Sequence, residues 1–319
     1  MLALPQIYVA GGLFFAATAW FSARDVADPR RARSAAFWGL LAASFLFGDR
    51  LGDLGNGLLV LGLVVLAALG LGGAAAPATS AEARRASALK HGDRLFLVAL
   101  IIPITALLGT LTAKQTAWGA KLIDPAQATL ISLVLGVVIA LVVMLLWLRP
   151  GLTTPLSEGR RLLSAVGWAA ILPQILAALG AVFLAAGVGK QVGQLFAAHL
   201  PLDSRFAAVA AYAVGMALFT ALMGNAFAAF PVMTAAVGLP VVVHRFGGDP
   251  AVVCAIGMLS GFCGTLLTPM AANFNVVPAN LLELPDRKAA LNAVIRTQAP
   301  TALLLLVVNI LLMRWLAWR

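Results

Sequence analysis

What most limits the fold of this chain is a series of long apolar stretches separated by short basic clusters. Residues 4–21, 57–71, 94–112, 126–148 and 300–316 each approach the ~20 apolar residues that a helix needs to cross a bilayer. Of 319 residues, 62% are hydrophobic and 11% charged, against roughly 25% charged in an ordinary soluble domain. The sequence therefore predicts an all-α polytopic membrane protein with about eight to ten membrane-inserted segments. Its net charge of +10 is gathered between the spans. That is how orientation signals are arranged, and not how a surface tracks phosphates, so nucleic-acid binding is excluded.

The basic clusters alternate. The first loop holds Arg24, Arg30, Arg31 and Arg33, and the second holds Arg50 alone. The third holds Arg84, Arg85, Lys90 and Arg94, the fourth Lys114 and Lys121, and the fifth Arg149, Arg160 and Arg161. Basic excess marks cytoplasmic loops. The odd loops then face the cytoplasm of a bacterial cell, across its inner membrane, and the N-terminus lies outside. No basic stretch precedes the first span, so it reads as a retained helix and not a cleaved signal. The run 34–48 is short, and fits either a tilted or a partly re-entrant segment. Residues 75–93 read as a polar linker, and Pro103 as a kink that neighbouring helices must cover.

Further on, 162–189 is longer than one straight span needs, with Pro173-Gln174 in its middle. Gln174 there is a ligand or, as amides often are, a bridge between membrane helices. Two later apolar runs are broken by polar and helix-breaking residues, at 224–231 and at 264–275. Unpaired backbone groups cost several kcal/mol in hydrocarbon, so unwound segments persist only where protein or a water-filled cavity covers them. Paired breaks of this kind mark the binding site of many secondary transporters. The first break fits two full spans, one broken span, or a re-entrant hairpin with its tip at Gly224-Asn225-Ala226. After it, Asp249 reads as an N-cap with Pro250 in the first helical turn. Residues 285–299 read as a polar stretch before the last span. The expected organisation is a helical scaffold over 1–160, a linking long helix and loop over 161–205, a transport unit over 206–284 and a C-terminal span over 285–319.

A broken helix offers free N–H groups at one half-end, which attract carboxylates, and free carbonyls at the other, which attract cations. The substrate-binding candidates are therefore Gly224, Asn225, Ala226, Gly264, Thr265, Thr268, Asn273 and Asn275. Gln174, Thr234 and Ser260 are candidates for an ion or secondary ligand. No acidic or basic residue lies mid-span, which disfavours a buried proton relay. Na+ held by carbonyls and hydroxyls fits as a coupling ion, and so does uncoupled facilitation. Cys254 and Cys263 match no redox or metal spacing, and His91, His199 and His244 are dispersed, so no metal site or catalytic residue is expected. Ser260 is outside any G-x-S-x-G and has no histidine at depth, which counts against an intramembrane hydrolase. A structural or assembly subunit without a substrate site remains the alternative to a carrier.

The runs GNAFAAFPVMTAAVGLPVV (224–242) and GGDPAVVCAIGMLSGFCGTLLTPMAANFNVVPANLLEL (247–284) resemble the larger membrane subunit of the bacterial pyroglutamate (oxoproline) transporter family. LPQILAALGAVFLAAGVG (172–189) also looks like family sequence. The resemblance implies a two-subunit carrier of a small carboxylate, paired with a smaller membrane protein. More distantly, a hairpin tip followed by a broken helix is similar to the ion-transporter superfamily of divalent-anion/sodium symporters. Those place Ser-Asn-Thr at the tip, where this chain has Gly224-Asn225-Ala226. In that superfamily two inverted halves each give a hairpin and a broken helix. This sequence displays one such set, so the expectation is that the partner supplies the other.

Overall fold

Each of these apolar stretches is helical in the computed structural model, which describes residues 1–73, 79–151, 153–200, 202–282 and 287–319. Among the described residues, eight helices are long and apolar enough to cross a membrane, and the shorter apolar helix Pro250–Thr265 joins them. The protein is an all-α polytopic membrane protein built as two compact units, Met1–Gly167 and Trp168–Arg319. The stretch 161–205 is thus divided between the units, and the last span packs within the second.

In the first unit, α1 (Leu4–Ala23) runs against α2 (Arg31–Ala68). Aromatic contacts hold the pair. Tyr8 meets Phe45 edge-on at 5.9 Å, and Phe15 stacks on Trp38 at 6.0 Å. The long α2 is two helices folded on each other. Gly52 sits at φ 62°, ψ −177°, and contacts close symmetrically about it. Asn56 Nδ2 donates to the Gly48 carbonyl at 2.9 Å, and Arg33 donates to the Leu69 carbonyl at 2.6 Å. The run 34–48 therefore belongs to a leg of span length, 31–51, and is not a short segment. Only glycine occupies such backbone angles without strain, which otherwise amounts to about 1–3 kcal/mol. Gly52→Ala is expected to lower stability by that amount, read as an earlier thermal melt in detergent. An unchanged melt would mean that the bend accepts a side chain.

After the bend, residues 74–78 of the expected linker lie outside the described ones, and the rest forms the surface helix α3 (Ala81–His91). Ser80 caps it, with Glu82 in its first turn and Lys90 in its last, each charge matched to the helix dipole. Next come α4 (Arg94–Gln115), the short α5 (Ala117–Leu122) and α6 (Ala128–Leu148). Gly136 of α6 lies directly on the backbone of Ile102, so the neighbouring helix covers the turn that Pro103 disrupts. The unit ends with α7 (Thr154–Val166), tied to the end of α1 by Arg160, which donates to the Phe21 carbonyl at 3.1 Å and pairs with Asp25, just past α1, at 3.0 Å.

The second unit opens with a 3-10 turn and α8 (Leu172–Ala185), then α9 (Val188–His199). With α7 ending at Val166, the stretch expected as one long helix over 162–189 is in pieces. Positive φ at Gly167 and Gly187 marks the two ends. Next, α10 (Arg205–Met223) turns through two residues into α11 (Ala226–Met233), which continues as a π-helix over Thr234–Arg245. The Tyr212 hydroxyl meets Thr234 Oγ1 at 2.9 Å, and Gly215 lies against Met233. The two legs are therefore antiparallel, and the break at Gly224 is a hairpin. At 1.5 Å per residue a leg of this length spans about 28 Å.

Then α12 (Pro250–Thr265) packs along α10, capped by Asp249, whose carboxylate accepts from Val252 N at 2.9 Å. A π-turn over Ala272–Val276 leads into α13 (Val277–Leu281). The polar stretch expected before the last span begins in residues 283–286, outside the described ones, and its remainder, 287–299, is helical. Helix α14 (Arg287–Leu316) carries Pro300 inside it. Tyr212, Met216, Met233, Val237, Val253, Ile256 and Met313 make the core of this unit. At its base, Trp318 donates to the Phe246 carbonyl at 2.7 Å while Arg205 and Arg314 lie over its ring.

Candidate functional site

At the far end from that base, the two sequence breaks meet. Helix α10 stops because Gly224 adopts φ 77°, which an L side chain resists. Asn225 is extended, and its Oδ1 accepts from Phe227 N at 2.7 Å. That bond satisfies one of the free amides of α11 and restarts the helix at once. Only Gly224 and Asn225 are unwound here. Residues 226–231, expected within the break, are helical, with Pro231 held inside α11.

The second break is longer. Helix α12 ends at Thr265; the Gly264 carbonyl still accepts from Leu267 N at 3.1 Å, but the Thr265 carbonyl takes its donor from a side chain. That side chain is Asn275. Its Nδ2 donates to the Thr265 carbonyl at 2.8 Å and to the Thr268 carbonyl at 2.7 Å. Two acceptors fix which end of the amide faces the loop. Oδ1 therefore points the other way, and it has no hydrogen-bond partner among the described residues although Asn275 is fully buried. Thr220 Oγ1, one turn before Gly224, is also buried without a partner.

The breaks touch. A side chain on Gly224 would run into the carbonyl of Met270. Between them lies a cavity of about 20 Å³, lined by Asn225, Thr265, Asn273 and the rings of Phe227, Phe262 and Phe274 among others. The three rings form a chain, with centroids 6.2 and 5.9 Å apart. Room of that size holds one water or one small ion.

Gly224, Asn225, Ala226, Thr265 and Asn273 all border this cavity. Gly264 serves packing, lying so close to the Ala217 carbonyl that no Cβ fits. Thr268 and Asn275 belong to the loop that Asn275 clamps. The secondary candidates lie elsewhere. Thr234 is bonded to Tyr212 inside the hairpin. Ser260 returns its hydroxyl to the Ile256 carbonyl at 2.9 Å. Gln174 is exposed near the start of α8 and does not line the cavity. Sequence reasoning missed Thr220 and the three phenylalanines. A threonine inside an apolar helix carries no signal of its own, and the rings look like any lipid-facing residues.

From residue 5 to residue 318 the chain matches the family described as Protein of unknown function (DUF979). The chain belongs to that family. No curated protein and no solved structure matches it. The family's description carries no activity, so a function has to be argued from the paired breaks themselves.

Proposed function

We propose that this member of the family is the larger subunit of a secondary transporter that carries a small carboxylate across the bacterial cytoplasmic membrane by alternating access. The observation that carries the reading is the meeting of two unwound segments, one from a helical hairpin and one from a broken helix. There the N-terminal amides of α11 and the side chains of Asn225 and Asn273 offer donors to a carboxylate. Asn275 Oδ1, in the second break, is a buried acceptor without a donor among the described residues. Na+ as coupling ion suits such an atom, and a facilitator without a coupling ion is the variant to test against it. With about 20 Å³ between the breaks, the solute enters only when the tips part, which is the motion that alternating access requires.

Pyroglutamate is the favoured solute, and it rests on the sequence resemblance, as does a smaller partner subunit. Orientation follows from charge. Arg205, Arg245, Arg314 and Arg319 gather at the base with Trp315 and Trp318. By the positive-inside rule that end is cytoplasmic and the tips point outward.

The deciding experiment is uptake of labelled pyroglutamate into proteoliposomes holding the chain and its co-expressed partner, with Na+ or choline outside. Uptake that depends on both subunits and on an inward Na+ gradient is the expected result. Uptake indifferent to Na+ would leave a facilitator, and no uptake of any small carboxylate would favour an assembly subunit.

A further inference from the structure

A second cavity, larger than the one at the paired breaks, is also present. It lies in the first unit, at the bend of α2, and measures about 530 Å³. That falls within the range of roughly 300–1,000 Å³ typical of small-molecule sites, whereas the space between the breaks is about 20 Å³.

Its walls are chemically mixed. Tyr8 from α1 and Phe45 from α2 form an aromatic side. Ser44, Asp49, Arg50 and Asn56 line the rest. Asn56 is steadied by its bond to the Gly48 carbonyl, which occupies one amide hydrogen and leaves its Oδ1 and second hydrogen free. Asp49 and Arg50 are adjacent in sequence, yet their side chains pair neither with each other nor with any other described residue. A guanidinium, a carboxylate, two hydroxyls and an amide with one hydrogen already bonded thus line one cavity. Gly52 holds them there, since its backbone angles set the bend.

We propose that this cavity is a second solute site, separate from the paired breaks, for a small carboxylate that also bears an N–H group, such as an amino acid or a lactam acid. Arg50 takes the carboxylate by a two-pronged bond, which its planar fork matches. Asp49 accepts the N–H, and Asn56 and Ser44 bond a neighbouring carbonyl or ammonium. The apolar part of the solute lies against Tyr8 and Phe45. Asp49 also repels a second carboxylate, so the site rejects dicarboxylates. A zwitterionic lipid headgroup presents the same pair of charges, and the test separates the two sources. The proposal does not rest on the carrier reading, because binding here needs neither Asn225 nor Asn273.

The full chain in phosphatidylcholine nanodiscs is titrated with labelled pyroglutamate and with labelled L-alanine. Cyclopentanecarboxylate (no N–H) and 2-pyrrolidinone (no carboxylate) serve as competitors. These titrations use the Asn273→Ala protein, in which the paired breaks are weakened, and the expected result is saturable binding of at least one probe, weakened tenfold or more when Arg50→Ala or Asp49→Asn is added, with both competitors ineffective. Binding of neither probe would overturn the proposal. So would binding in the Asn273→Ala protein that survives the added Arg50→Ala. If Arg50→Ala instead strips co-purified phosphatidylethanolamine from the protein and no probe binds, the cavity is a lipid seat and the solute site is refuted.

Discussion

Asn225→Ser is expected to reduce carboxylate uptake by about 10–100-fold, the equivalent of one charge-assisted hydrogen bond of roughly 1.5–3 kcal/mol, while the protein stays folded and in the membrane. Serine is chosen because Asn225 has two roles. Its Oδ1 caps α11 through Phe227 N at 2.7 Å, and serine caps a helix about as well as asparagine does. What serine lacks is the amide NH2 group that borders the cavity. Asn225→Ala removes both roles, so its lost uptake would come with a loss of about 1 kcal/mol in stability. Asn273 provides a cleaner comparison. It is exposed, and makes no hydrogen bond to any described residue. Asn273→Ala should therefore leave the melting temperature where it was and still impair uptake. Normal transport by both Asn225→Ser and Asn273→Ala would take the solute away from the paired breaks altogether.

The spans were legible because a bilayer imposes a length and a polarity on every crossing helix, and the sequence has to display both. The two breaks were legible for the same reason. Gly224-Asn225 and Thr268-Pro269 are polar or helix-breaking pairs in stretches that are otherwise apolar. Their exact form was not. Pro231 looks like part of the first break but sits inside α11, which widens into a π-helix over Thr234–Arg245. Pro300 likewise lies within α14. A proline's missing N–H is tolerated where neighbouring groups or a local π-adjustment re-satisfy the backbone, and no single sequence records those neighbours. Asn275 was singled out as a ligand on composition alone. That it clamps carbonyls seven and ten residues earlier is a matter of loop path, to which local periodicity is blind. The cavity at the bend of α2 was hidden more fully, since Tyr8 and Asn56 come together only once α1 and both legs of α2 have packed.

The second large effect concerns stability. Asn275→Ala is expected to destabilise the protein by about 2–4 kcal/mol, because two buried carbonyls lose their donors at roughly 1–3 kcal/mol each and removal of the orphaned Oδ1 returns part of that. A thermal melt in detergent reads this directly. Its more informative use is in salt. If a cation sits at Oδ1, Na+ binds the folded state alone and must raise the melting temperature of the parent protein by mass action. The same Na+ should leave Asn275→Ala unmoved relative to choline. Water at that position would give no difference between the two salts in either protein. A partnerless acceptor at zero exposure is costly enough that something must compensate it, and an ion that does so while bridging α12 and the π-turn would hold the second break shut against the Gly224 tip. Coupling would then reside in this loop. Releasing Na+ would free the Thr265–Asn275 segment to part from the hairpin, and the solute's access would follow the ion.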